Sequence, residues 1–323
     1  MQRIFLSVVV SLLLAAPVGA SCGSSSCPLD THALNQPERG HFTFDFSFQY
    51  IDQNQPRIGT RSAQIGELHA DHDEVRTLNR IATGTLTYAA TDRLQFGLAV
   101  PFVSRMHEHL ASNHAHGFTP AAEHNVVPES WDIQGVGDVT LHARYALTPT
   151  VWALGGVKLP TGNDERANDD GEIGELPIQA GSGTTDGLIG LAYQSHAIRS
   201  TRAGYSLAPY FASASYTFRT GDARGYRMGN ELQLNAGGAY PLGRTFDLLV
   251  QLNARSRTKD RIADEPEEAE FTGGKALYIT PGIRVSAGTA GVYALVQLPL
   301  YQDVNALQLT ARRNWIIGVQ TRF

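Results

Sequence analysis

Seven of the eleven histidines of this 323-residue chain fall in two stretches: His69 and His72 beside Asp71, Asp73 and Glu74, then His107, His109, His114, His116 and His124. A His-x-His spacing puts both imidazoles on one face of an extended segment. Imidazole mixed with carboxylate is a donor set that suits Zn2+, Cu2+ or Ni2+, so the chemistry on offer is capture of a scarce divalent cation. The plainer reading is a set of solvated loop residues titrating near ~6.5. Two acidic runs accompany them: Asp164, Glu165, Asp169, Asp170, Glu172 and Glu175, then Asp260, Asp264, Glu265, Glu267, Glu268 and Glu270. Such runs can bridge to anionic sugars through divalent cations or steer cations, and they can equally just keep a loop solvated. Neither has the ligand spacing of an EF-hand.

A second set of charges, Arg144, Lys158, Arg255, Arg284 and Arg322, lies within segments of alternating polarity. It reads either as a ladder that selects anions or as wall charges paired with Asp45, Asp138 and Asp247. Catalysis has little footing. No Gly-x-Ser-x-Gly elbow is present and the His69/Asp71/His72 group lacks an evident nucleophile, so the chain is read as non-enzymatic. The two cysteines, Cys22 and Cys27, sit in a Ser/Gly-rich segment where a small local disulfide is expected. Their spacing is too wide for a redox Cys-x-x-Cys, and two thiols alone make an incomplete metal site.

The elements that must carry these residues are strands. Phe42, Phe44, Phe46, Phe48 and Tyr50 alternate with Thr43, Asp45, Ser47 and Gln49, a period of two that no helix produces. The rhythm recurs over 93–103, 137–147, 246–255, 279–285 and 292–300, and ends with Trp315, Ile317, Val319, Thr321 and Phe323 opposite Ile316, Gly318, Gln320 and Arg322. Weaker candidates at 75–89, 150–160, 185–194, 203–218 and 230–240 bring the count to twelve, each near the ~9 to 11 residues of a tilted spanning strand. Links alternate in length. Short ones fall at 90–92, 147–150, 195–202, 241–244 and 286–291, long ones at 52–74, 104–132, 161–184, 219–229 and 256–273, with a modest last one near 302–308. That is the habit of a barrel with short periplasmic turns and longer outer loops. Aromatic residues at the edges of the strips, such as Tyr50, Tyr145 and Phe323, favour lipid contact over a secreted sandwich.

Ahead of the strands, Arg3, the apolar run from Ile4 to Ala16 and the small residues Val18-Gly19-Ala20 make residues 1–20 a secretory signal. A lipid anchor at Cys22 is the lesser alternative, because Gly19 stands where that signal wants a branched apolar residue. Residues 21–40 are then a Cys/Ser-rich periplasmic segment and 41–323 the barrel. The mean hydropathy of −0.19 fits, since alternate residues face a wet lumen. A net charge of −5 carries no nucleic-acid signature.

The segments Gly135-Val136-Gly137-Asp138-Val139-Thr140-Leu141 with Arg144 and Tyr145, Gly156-Val157-Lys158-Leu159-Pro160-Thr161-Gly162, and Gly181-Ser182-Gly183-Thr184-Thr185-Asp186 running on to Tyr193 share a further pattern. Together they resemble the outer-membrane transporter family named after the meta-pathway of phenol degradation. The resemblance is strongest over residues 135–193. It implies an all-β, transmembrane, antiparallel up-and-down barrel that passes small molecules, aromatic or hydrophobic ones among them, and it brings no catalytic residues.

The residues themselves give Thr43, Asp45, Gln49, His142, Arg144, Lys158, Gln251, Asn253, Arg284 and Arg322 as pore-lining candidates. They make a mixed-charge interior that favours polar or weakly anionic solutes. The expectation is an outer-membrane channel of a Gram-negative bacterium in contact with lipid and a small solute. It binds no nucleic acid and is handed to the barrel-assembly machinery through Phe323. The competing expectation is a divalent-metal acquisition barrel served by the histidine loops, and a third class is an adhesion or structural barrel with a side-chain-filled lumen.

Overall fold

The computed structural model describes residues 38–67, 72–112, 126–195, 198–200, 205–207, 209–221, 223–263 and 266–323. The signal sequence, Cys22, Cys27, His69, His114, His116 and His124 lie outside them.

Twelve antiparallel elements form one closed sheet: β1 (Phe42–Gly59), β2 (His72–Ala89), β3 (Leu94–Ser112), β4 (Val126–Val136), β5 (Thr140–Ala146), β6 (Val151–Lys158), β7 (Asp186–Gln194), β8 (Tyr210–Arg219), β9 (Glu231–Leu242), β10 (Phe246–Arg257), β11 (Gly274–Ala287) and β12 (Ala290–Arg322). β4 and β5 share one stave, pairing respectively with 102–112 and 94–99 of β3. β12 is folded double. Its residues 290–304 pair with β11 and 304–322 with β1, Asn314 Nδ2 donates to Gln297 Oε1 across it, and Ala306 takes φ 46° at the reversal. Twelve staves result, and pairings from Thr43↔Arg322 to Gly59↔Val304 close the ring. Phe42 and Phe323 exchange backbone N–H to O bonds of 2.8 and 3.0 Å, and their rings stack at 5.8 Å.

The polarity is inverted relative to a water-soluble sheet. Phe46, Phe48, Leu98, Phe102, Leu191, Leu248, Val250, Ile283, Ile317 and Val319 are exposed, whereas Thr43, Asp45, Asn79, Lys158, Asn253, Thr280 and Gln297 are all but inaccessible. Apolar surface facing water forfeits ~25 cal/mol per Å2, a loss that lipid removes. The closed ring also satisfies every strand's ladder, which hydrocarbon requires. Exposed Tyr145, Tyr193, Tyr210, Tyr240, Phe246 and Phe323 gather at the short-turn end as an aromatic girdle, and Trp315 and Tyr301 are exposed nearer the other end. The chain is therefore an outer-membrane β-barrel by architecture.

Four boundaries differ from the sequence expectation. The outer link placed at 52–74 is largely strand, since β1 runs to Gly59 and the two-residue strand Arg61–Ser62, a thirteenth in the sheet, pairs back on Arg57 and Ile58. The outer link placed at 104–132 is largely strand, because β3 runs to Ser112 and β4 begins at Val126. Beyond the lipid the outward face no longer needs to be apolar, so the alternation that marks a strand fades while the ladder continues. The short link placed at 195–202 is longer, since β8 starts at Tyr210 and 198–200 pairs with 205–207 in a small hairpin of its own. The modest last loop near 302–308 is a tight reversal within β12.

Candidate functional site

The interior of the barrel is where the polar faces meet. The long link 161–184 is divided: Glu165, Asp169, Asp170 and Glu172 are exposed, as a solvated acidic run would be, while most of 174–184 is buried. Its short 3-10 turn, Leu176–Ile178, folds inward, and Ile178 and Ala180 pack with Ile81, Val103, Trp131 and Ile133 in a dry cluster against β2, β3 and β4. Trp131 Nε1 donates to Glu172 O at 3.0 Å. Arg105, fully buried, donates to Asn79 Oδ1 at 2.5 Å and to the carbonyls of Pro177 (3.1 Å), Ile178 and Gln179 (3.0 Å). One guanidinium thus satisfies three consecutive backbone acceptors that the turn carries into the barrel.

The motif residues converge beside this segment. Lys158 Nζ lies 2.8 Å from both Asp138 and Asp186 and also donates to Ser182 Oγ. Arg219 reaches Asp186 at 2.7 Å. Asp138 in turn accepts the backbone N–H groups of Gly162 (3.1 Å) and Ser182 (2.9 Å), so two carboxylates and two cations are buried together, with Arg219 Nε left without a hydrogen-bond partner among the described residues. Gly162 and Gly181 lie backbone to backbone here. A Cβ on Gly181 would stand 2.3 Å from Gly162 O, which is why glycine is required at that crossing.

On the opposite side the interior is open. A pocket open to solvent near the long-link end is lined by Gln53, Arg255, Arg257, Tyr278 and Gln302, among others. A second open pocket lies at the short-turn end against Arg284, Thr289, Gln320 and Arg322. Among the described residues neither lining contains a carboxylate. The polar layer between them is tightly bonded: Thr280 Oγ1 donates to Asn253 Oδ1 at 2.7 Å, Asn253 Nδ2 to Asn235 Oδ1 at 2.8 Å, and Tyr293 OH to both Asp45 oxygens at 3.1 Å.

The ten pore-lining candidates have different fates. Thr43, Asp45, Arg144, Lys158, Gln251 and Asn253 are buried, and Gln49, His142, Arg284 and Arg322 are half-buried. The expected wall pairs Lys158–Asp138 and Arg284–Asp247 (2.8 Å) are present, while Arg255 takes Glu231 (2.7 Å), Arg144 lies over the Trp152 ring at 5.3 Å, and Asp45 takes the Tyr293 hydroxyl. Among the described residues much of the inner surface is buried and internally bonded, more so than the residue list suggested, and it opens at the two pockets named above.

The histidine reading is corrected as well. His107 and His109 are buried strand residues, not loop residues. His107 Nδ1 meets Thr77 Oγ1 at 2.8 Å, His109 Nε2 meets Glu129 Oε2 at 2.5 Å, and the His109 ring packs edge-on against Trp131 at 4.6 Å. His72 begins β2. Among the described residues no group of three or more His, Cys, Asp or Glu is arranged to hold a metal. Asp260, expected as a solvated loop charge, is buried and accepts from Arg257 Nη2, Gly229 N (2.7 Å) and Tyr226 OH (2.5 Å).

Sequence reasoning missed Arg105, Arg219, Glu231 and Arg257. Each lies at or beyond the end of an apolar strip, where alternation gives no signal. Asp186 was visible inside the Gly-Ser-Gly-Thr-Thr-Asp motif, with nothing to say what it binds.

No family profile and no curated protein matches the chain. Solved structures do. An outer-membrane channel from Pseudomonas putida F1 superposes with a TM-score of 0.59 at 14% identity, covering 92% of this chain and 100% of its own. The TodX deltaS2S3 mutant monoaromatic hydrocarbon channel gives 0.48 at 12% identity, covering 96% and 98%. The likeness to the Pseudomonas putida channel, at 14% identity, establishes the fold alone, that of an outer-membrane β-barrel, which agrees with the apolar outer surface and the closed ring.

Proposed function

We propose that this protein is a non-enzymatic outer-membrane channel for small solutes, including organic molecules with an aromatic or apolar body. The observation that carries the reading is the pair of open pockets at the two ends of one side of the lumen, one lined by Arg255 and Arg257 and one by Arg284 and Arg322, with a layer of side chains between them. A layer of amide, hydroxyl and carboxylate side chains can open by rotamer changes without moving the wall. The fold shared with the Pseudomonas putida channel supports the same reading. Segment 161–184, clamped across part of the lumen, restricts passage to small molecules. Delivery to the membrane by the barrel-assembly machinery, with Phe323 at the seam, completes the proposal.

Reconstitution into planar bilayers and liposome swelling with phenol, benzoate, sugars and amino acids test it. Discrete conductance steps and swelling with small aromatic solutes are expected. A preparation shown by circular dichroism to be folded that gives neither would overturn the proposal.

A further inference from the structure

The pocket at the long-link end has a composition that specifies its ligand more closely than a general pore would. Arg255 and Arg257 on β10 line it, with no carboxylate among the described lining residues, while Lys275 on β11 is exposed and out of step with the inward-facing Ala276 and Tyr278. The acids that hold the arginines lie outside the lining. Glu231 takes Arg255 at 2.7 Å, and Asp260 is saturated by Arg257, Gly229 and Tyr226. The two guanidinium groups are therefore fixed in place before any ligand arrives, which lowers the ordering cost of binding. Arg257 spends Nη2 on Asp260, and its buried Nε has no hydrogen-bond partner, so the guanidinium that lines the pocket is not saturated by its neighbours. A guanidinium carries five N–H donors in a planar fork, the shape that receives a carboxylate.

The rest of the lining is small or apolar. Gly273, Gly274 and Ala276 leave the β11 wall bare, and Tyr278, Val304 and Leu309 supply apolar surface beside it. Gly274 has φ 145° and a Cβ there would lie 2.6 Å from Asp303 O, so the bare wall is enforced by the backbone. Gln53, Gln302 and Gln308 add neutral hydrogen-bonding groups, with Gln302 Nε2 donating to the Tyr278 hydroxyl at 3.4 Å.

From this arrangement we infer that the Arg255/Arg257 pocket is a binding site for a small organic carboxylate, its anionic end on the two guanidinium groups and its apolar body against Tyr278 and Leu309. The inference rests on the channel reading and names the solute class that the outer end of the lumen selects.

The test is equilibrium binding of benzoate to the purified full-length barrel in detergent, read by ligand-observed NMR, alongside benzamide as the neutral isostere and acetate as the anion without a ring. Saturable benzoate binding is expected, with benzamide and acetate each weaker by about tenfold, the scale of one charge-assisted contact or one buried apolar group. Ala276→Phe, which fills the pocket without changing charge, removes binding, whereas Lys275→Gln, on the opposite face of β11, leaves benzoate affinity within about twofold. Both variants are checked for native β-sheet by circular dichroism. Benzamide binding as tightly as benzoate, or benzoate binding that survives Ala276→Phe in a folded barrel, overturns the assignment. If conductance is intact while benzoate fails to bind, the site is wrong and the channel reading stands; if conductance is absent, the channel reading fails on its own measurement.

Discussion

Strands β2 to β7 and strands β9 to β12 build the same wall around unlike interiors. On the first side the lumen holds a folded-in segment, a dry cluster around Trp131 and an ion quartet of Asp138, Lys158, Asp186 and Arg219, so it behaves as a protein core. On the second, cations line open space at both ends and the middle is spanned by single side chains. Both sides present apolar residues to lipid, so the outer surface carries no hint of the division. On the proposed channel reading, stability and passage fall to different halves of one cylinder, and the two should respond to different substitutions.

The comparison breaks most sharply at Lys158. Lys158→Ala leaves Asp138 and Asp186 buried and facing each other without their shared cation, which costs on the order of 3 to 5 kcal/mol. Urea unfolding in detergent should show that loss, and single-channel recording should show larger or noisier currents as segment 161–184 comes free. Trp131→Ala follows, at about 3 kcal/mol for the cluster it empties, with a smaller change in conductance. On the open side the order reverses: Ala276→Phe leaves the unfolding midpoint almost where it was and cuts conductance severalfold. The smallest effect belongs to Arg284→Ala, whose pair with Asp247 is partly exposed and worth under about 1 kcal/mol, so only the reversal potential should move, toward cations. Equal responses of stability and conductance to Lys158→Ala and Ala276→Phe would erase the distinction between the halves.

The barrel itself was legible in the sequence because lipid on one side and polar groups on the other impose a period of two that strips such as Phe42 to Tyr50 display without interruption. Twelve staves and a Phe323 seam follow from counting those strips. The interior was not legible to the same degree. Lys158–Asp138 and Arg284–Asp247 were visible as pairing options, yet their partners Ser182, Asp186 and Arg219 depend on which link folds inward, and nothing in the spacing of 161–184 says that it does. The acidic residues of that link argued for solvent, whereas Leu176, Ile178 and Ala180 decide its place through tertiary contacts. Histidines 107 and 109 misled for a related reason: above the lipid a strand is free to be polar on both faces, so it reads as a loop.

The hydrogen bonds between Phe42 and Phe323 have a consequence for how the molecule comes into being. Its earliest and latest strands are neighbours, so the sheet keeps two raw edges until translation and export of the whole chain are finished. No shorter nascent version can lodge in hydrocarbon with its backbone satisfied. The cell must therefore hold the emerging polypeptide in an unfinished form and join both ends in a single late event, and losing a handful of terminal residues would cost the whole membrane structure, not one stave of it.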